Sequence, residues 1–150
     1  MVTLVGMQDD FGSALKDLIE LEYDAVEAYE AAINRLDNEE YRMSITSFMQ
    51  DHLRHIKEVS ELLKKHNETP PSGPSLAKQW LTKGKVIFGN LVGDKTILMA
   101  LRSNEIDTNT AYERLKIHEH IWSDARDIIN RGLMDERKHK KWLESVLDSE

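Results

Sequence analysis

The sequence predicts an all-α four-helix bundle, built as two helical hairpins joined by a long crossover that carries a short helix. Three observations predict it. Four long segments repeat apolar residues at three- and four-residue spacing. No segment alternates apolar and polar residues over a useful length, the mark of a half-buried strand. All three prolines fall in one stretch, HNETPPSGPS, between the second and third segments, where they exclude a helix interior.

The first helix is predicted from about Ser13 to Leu36, with Leu15, Leu18, Glu22, Ala25, Tyr29, Ala32 and Leu36 facing inward. A short polar connection, DNEEY, makes the next helix its antiparallel neighbour. That second helix is expected from about Tyr41 to His66, with Ile45, Phe48, His52, His55, Val59 and Leu62 inward. The proline-rich break follows, then LAKQWLTKGKVIFGNLVG, read as a brief helix on the crossover, with Trp80 and Phe88 sealing it against the bundle or forming part of a dimer face. Asp94 reads as the N-cap of the third helix. This helix extends to about Ile117 with Leu98, Leu101, Glu105, Thr108, Tyr112 and Leu115 inward. The fourth spans about Ser123 to Leu147, with Ile129, Gly132, Glu136, His139, Leu143 and Val146 inward.

The bulk numbers bound the function. The 150 residues suit one domain with a core of its own. The absence of cysteine removes disulfides, thiolate metal sites, iron–sulfur clusters and thiol nucleophiles. A net charge of −7 with interleaved signs argues against a nucleic-acid or membrane-surface partner. The N-terminus MVTLVGMQDD has neither a basic segment nor a long apolar run, and no stretch approaches the roughly 20 apolar residues of a spanning helix. A cytoplasmic location is expected.

Six ionisable residues interrupt the four inward seams: Glu22, His52, His55, Glu105, Glu136 and His139. They repeat between the hairpins. EYDAVEAY in the first helix answers EIDTNTAY in the third, each with a Glu and a Tyr seven apart. HLRHIKEVSELL in the second answers ERKHKKWLESVL in the fourth. At about 1.5 Å per residue, Glu105 and Glu136 lie at similar heights, and all six side chains can meet in one layer, although the first hairpin fits less neatly, by about one turn. Burying this charge uncompensated costs several kcal/mol per ion, and no seam position holds Lys or Arg to pair with it. Metal ions would compensate. Carboxylate oxygens and neutral imidazole nitrogens suit iron or manganese, with zinc a further option. One Glu from each of two helices, with Glu-x-x-His from each of the other two, is the di-iron or di-manganese carboxylate pattern.

These motifs resemble the ferritin-like superfamily near the rubrerythrins, and most closely a bacterial ferritin-like family of unknown function. Glu22, Ala25 and Tyr29 are similar to a rubrerythrin-type first helix, Glu136-x-x-His139 matches the fourth-helix motif, and Trp80 through Tyr112 resembles the crossover and third helix of the unknown-function family. The resemblance implies Glu22 and Glu105 as terminal ligands, Glu136 as a bridge and His55, His139 and His52 as nitrogen ligands. The reaction class it implies is metal oxidation, or reaction of bound metal with oxygen or peroxide, in stress defence. His52 departs from the pattern, standing where the superfamily has Glu. An imidazole normally ligates through one nitrogen and does not replace a bridging carboxylate, so three carboxylates remain. The centre then holds two ions, one ion or none, and in the last case the bundle is a structural or interaction module.

Tyr29 and Tyr112 read as core aromatics placed to hydrogen-bond the liganding groups from behind. His118 and His120 fall at the bundle end, about 20 Å from the layer, and His66 at a helix C-terminus, where it favours the dipole. Rubrerythrins that pass electrons through a rubredoxin domain use cysteines, so a redox role here needs an external reductant. Nothing predicts a storage cage; a homodimer packed through bundle faces is the modest expectation.

Overall fold

The computed structural model describes residues 3–74 and 92–149. Among these, the chain forms helices α1 (Phe11–Arg35), α2 (Glu39–Lys65), α3 (Asp94–Lys116) and α4 (Arg126–Ser149), with a single 3₁₀ turn, Ser123–Ala125, leading into α4. The four-helix architecture is the predicted one. The crossover helix expected within LAKQWLTKGKVIFGNLVG, with Trp80 and Phe88, lies outside the described residues.

Local chemistry fixes the helix ends. The Asp10 carboxylate accepts the Ser13 N–H at 2.9 Å and starts α1. The Asn38 side chain accepts the Tyr41 N–H and starts α2 two residues earlier than periodicity suggests, followed by Glu39 and Glu40 at the positive end of the dipole. Asn67, at φ 61°, closes α2: its own N–H reaches Lys64 O and that of Glu68 reaches Leu63 O, satisfying the last carbonyls. Asp94 is not the N-cap of α3. Gly93 occupies that position at φ 91°, a backbone only glycine adopts without strain, and gives no side-chain cap. The Asp94 carboxylate instead accepts the N–H groups of Asp37 (2.8 Å) and Asn38 (2.9 Å), tying the start of α3 to the α1–α2 turn.

Each helix packs on two others. α1 lies against α2 and α3, and α4 against α3 and, more sparsely, α2. Two apolar clusters fill the interior. One joins Leu15, Leu18, Val59, Leu63, Leu115 and Leu133; the other joins Tyr29, Leu36, Ile45, Phe48, Leu101 and Leu143. Neither cluster includes the six ionisable seam residues, although all six are buried. They form a polar layer between two apolar slabs, a low-dielectric setting in which any charge needs a partner.

Candidate metal centre

Helix length brings the six side chains level. From Glu22 to the end of α1 at Arg35 is 13 residues, and from the start of α2 at Glu39 to His52 is also 13. The one-turn mismatch expected in the first hairpin is therefore absent, because α2 starts at Glu39.

His52 sits at the centre. Its Nδ1 lies 3.1 Å from Glu22 Oε1 and 3.2 Å from Glu136 Oε1, and its Nε2 lies 2.9 Å from Glu105 Oε1. His55 Nδ1 is 2.8 Å from Glu22 Oε2 and 3.2 Å from Glu136 Oε1. His139 Nδ1 is 3.4 Å from Glu105 Oε1 and 3.6 Å from Glu136 Oε2. The seam thus supplies its own cations. Among the described residues the layer holds no Lys or Arg, and imidazole–carboxylate pairs offer compensation beside the metal ions that the sequence leads one to expect.

Two groups of four emerge, Glu22–His52–His55–Glu136 and His52–Glu105–Glu136–His139. Within each, one ligand atom per residue falls within 4.8 Å of the others. They share His52 and Glu136.

A surrounding set of groups orients this ring. His139 Nε2 meets Asp51 Oδ2 at 2.8 Å, and His55 Nε2 meets Asp135 Oδ2 at 2.9 Å. With the outer nitrogen protonated, each imidazole turns its Nδ1 inward. Asp51 immediately precedes His52, and Asp135 immediately precedes Glu136, so each helix sends an inward residue to the centre and the adjacent Asp to the histidine of the facing helix. Tyr29 Oη donates to Glu105. Thr108 Oγ1 donates to Glu136 Oε2 at 2.9 Å, and the Asn109 amide bridges the backbone carbonyls of Glu105 and Glu136. Tyr112 stacks edge-on beside His55 with ring centroids 5.5 Å apart, but its buried hydroxyl makes no hydrogen bond among the described residues. Asp135 and Asn109 are not singled out by the sequence, and Asp51 suggests itself there only as a substitute ligand beside His52, turned about 100° away from the ring. The available signal was the paired Asp-His-x-x-His and Asp-Glu-x-x-His stretches.

Electrostatics follow from burial and proximity. Burial alone pushes the Glu22 carboxyl up, but the His52 and His55 imidazoles outweigh it and hold it down to about 2. Burial likewise opposes charge on the histidines, yet Glu22 lifts His55 to about 11, and hydrogen bonding to Asp51 with the nearby glutamates lifts His139 to about 10. Burial and the neighbouring Glu105 charge raise Glu136 to about 7. The lowered Glu22 stabilises the fold above about pH 4.5 and loses that contribution as pH falls toward 2. The raised histidines contribute fully below about 6.5 and lose their contribution as pH rises toward 10 to 11. Glu136 adds a cost as pH climbs through 7. Metal-stripped protein is therefore expected to melt highest between about pH 4.5 and 6.5, as read by circular dichroism across pH 3 to 10. A maximum above pH 8 would contradict this charge pattern.

The histidines outside the layer lie at the bundle end. His66 caps α2, stacks on Trp122 with centroids 3.7 Å apart, and contacts Asp124 at 2.9 Å. The His118 ring packs edge-on against Phe11, its Nε2 donates to Gln8 O, and its Nδ1 accepts the His120 N–H.

The helix order and this buried layer define a ferritin-like bundle, and the solved structures that it resembles agree. A conserved hypothetical protein of Mycobacterium tuberculosis superposes with a TM-score of 0.75 at 16% identity, over 91% of this chain and 96% of its own. A protein of Bacillus anthracis described as ferritin-like, diiron-carboxylate superposes with a TM-score of 0.72 at 19% identity, over 91% of this chain and 94% of its own. No curated protein matches the chain. Residues 10–116 match the family called Domain of unknown function (DUF2383), and the chain belongs to that family. No helix among the described residues is long and apolar enough to cross a membrane.

Proposed function

We propose that the chain is a metal-binding ferritin-like protein whose buried carboxylate–histidine layer takes iron or manganese, with zinc as an alternative occupant. The observation that carries this reading is a pair of buried atoms without hydrogen-bond partners, Glu136 Oε1 and His139 Nδ1. Both point into the ring. Glu136 Oε1 has two imidazole nitrogens at 3.2 Å, yet neither aligns as a donor. Buried ligand atoms left without hydrogen bonds among other carboxylate and imidazole donors suit a cation.

The donors available to such a cation fit it: the carboxylates of Glu22, Glu105 and Glu136 and the imidazoles of His52, His55 and His139 form two overlapping groups of four, either of which could hold an ion. Asp51 and Asp135 hold their imidazoles in the inward tautomer, Tyr29 and Thr108 fix the carboxylates, and the apolar slabs exclude bulk water. Bound iron or manganese would supply one-electron chemistry toward oxygen or peroxide, the activity expected in stress defence. The diiron-carboxylate description of the Bacillus anthracis structure supports that class. A reductant would come from another protein or a small molecule, since the chain has no cysteine. We also place the protein in the cytoplasm as a homodimer, to be checked by light scattering.

Elemental mass spectrometry on untagged protein from iron-supplemented cells tests the reading. Bound iron or manganese is expected. In the Glu136→Ala/His139→Ala variant it should vanish, with the loss of the melting-temperature gain that added metal gives, about 2.7 kcal/mol at 100 times the dissociation constant. A second reading, a non-enzymatic interaction bundle, draws on the self-compensating imidazolium–carboxylate pairs. It predicts no metal uptake and a double variant as stable as the parent or more so.

A further inference from the structure

We infer that the centre takes one divalent ion rather than two, held by His52 through Nδ1 together with Glu22, His55 and Glu136, while Glu105 remains a hydrogen-bonded carboxylate of the protein. This deepens the metal-binding reading above and rests on it.

The two groups of candidate ligands overlap at His52 and Glu136. A carboxylate has an oxygen for each half, but a neutral imidazole has a single lone pair. His52 turns Nδ1 to the Glu22 half and Nε2 to the Glu105 half. Ligation through Nδ1 leaves a proton on Nε2, which donates to Glu105 Oε1 across the observed 2.9 Å. That hydrogen bond orients the ring and strengthens it as a ligand, as carboxylates behind metal-bound imidazoles do.

The neutral donors decide which half is the site. Glu105 already receives Tyr29 Oη, and Thr108 Oγ1 lies 3.2 Å from its second oxygen. Thr108 also takes Glu136 Oε2. Both carboxylates of that half lie within reach of neutral protein donors, although the one Thr108 proton serves Glu136 Oε2 or Glu105 Oε2 in turn, and His139 Nδ1 is its buried atom without a hydrogen-bond partner. The Glu22 half has no such donors. Tyr112, the counterpart of Tyr29 in the repeat, makes no hydrogen bond through its hydroxyl among the described residues, and neither does Glu136 Oε1, which has two imidazole nitrogens at 3.2 Å. The pseudo-twofold repeat is therefore broken chemically: one half is a carboxylate satisfied by the protein, and the other is open to a cation.

Metal-stripped, full-length protein titrated with Mn²⁺ under calorimetry, followed by elemental analysis and electron paramagnetic resonance, tests this. One manganese per chain with an isolated-ion spectrum is expected. Glu22→Gln should abolish uptake, and Glu105→Gln should leave the stoichiometry at one. In His52→Glu, a restored bridging carboxylate should raise it to two, with an exchange-coupled spectrum. Two ions in the parent protein would overturn the inference and leave the metal-binding reading standing. No uptake at all would overturn both. Loss of uptake in Glu105→Gln but not in Glu22→Gln would overturn the choice of half. The parent stoichiometry stands even if a variant fails to fold.

Discussion

His52→Leu is expected to destabilise the metal-free bundle by about 3–5 kcal/mol at pH 7, the loss typical when one partner of a buried ion network is removed. The side chain is fully buried, and its two nitrogens lie within 3.2 Å of three different glutamates. Leucine fills most of the space, so packing contributes little. What remains is Glu22, Glu105 and Glu136 facing one another with their central cation gone. Since a domain of this size has only about 5–15 kcal/mol in hand, the shift should be large in a denaturant titration. It should shrink in acid, as the exposed mutual repulsion is relieved by protonation. A variant as stable as the parent at pH 7 would show that the carboxylates already share protons and need no imidazolium.

The second large effect is steric. A Cβ on Gly132 would lie 2.4 Å from Tyr112 Cε1 and 2.9 Å from Cζ, inside the contact distance of any two carbons. The Tyr112 ring is buried and edged against His55, so it has little room to yield. Gly132→Val should cost about 3 kcal/mol through overpacking, more than the roughly 1 kcal/mol that glycine gives up in helix propensity. Gly132→Ala should cost less. Combined with Tyr112→Leu, it should show a coupling of about 0.5–3 kcal/mol in a double-mutant cycle. Additive effects would mean that the close approach relaxes freely. Glycine therefore sets the spacing of α3 and α4 at the edge of the polar layer.

Much of this was legible in the chain. Apolar spacing places four helices within three residues of their observed ends, and nearly every seam position is buried, with Val146 half-buried instead. The six interrupting residues could be named because ionisable side chains at buried positions are conspicuous against an apolar seam. Three things were hidden for physical reasons. Asp94 has the composition of a cap, but its role is set by the α1–α2 turn lying beside it in space, which sequence spacing does not encode. Asp51 is turned about 100° from His52, which keeps it out of the ring; that same rotation delivers it to His139 across the helix boundary. The charge balance depends on which groups share the layer: three glutamates at about 3 Å push the His52 imidazole up against the opposing effect of burial, which spacing along the chain does not show.

That balance has a consequence for the order of events in the life of the chain. Many metal sites built from charged ligands cannot form until the ion arrives, and their apo chains stay unfolded. Here every glutamate of the layer has an imidazole close by, and Asp51 and Asp135 stand behind two of those imidazoles, so the charged groups have partners within the protein itself. On the metal-binding reading proposed above, loading would be an exchange of protons for metal within a folded bundle, and unloading would return a folded protein.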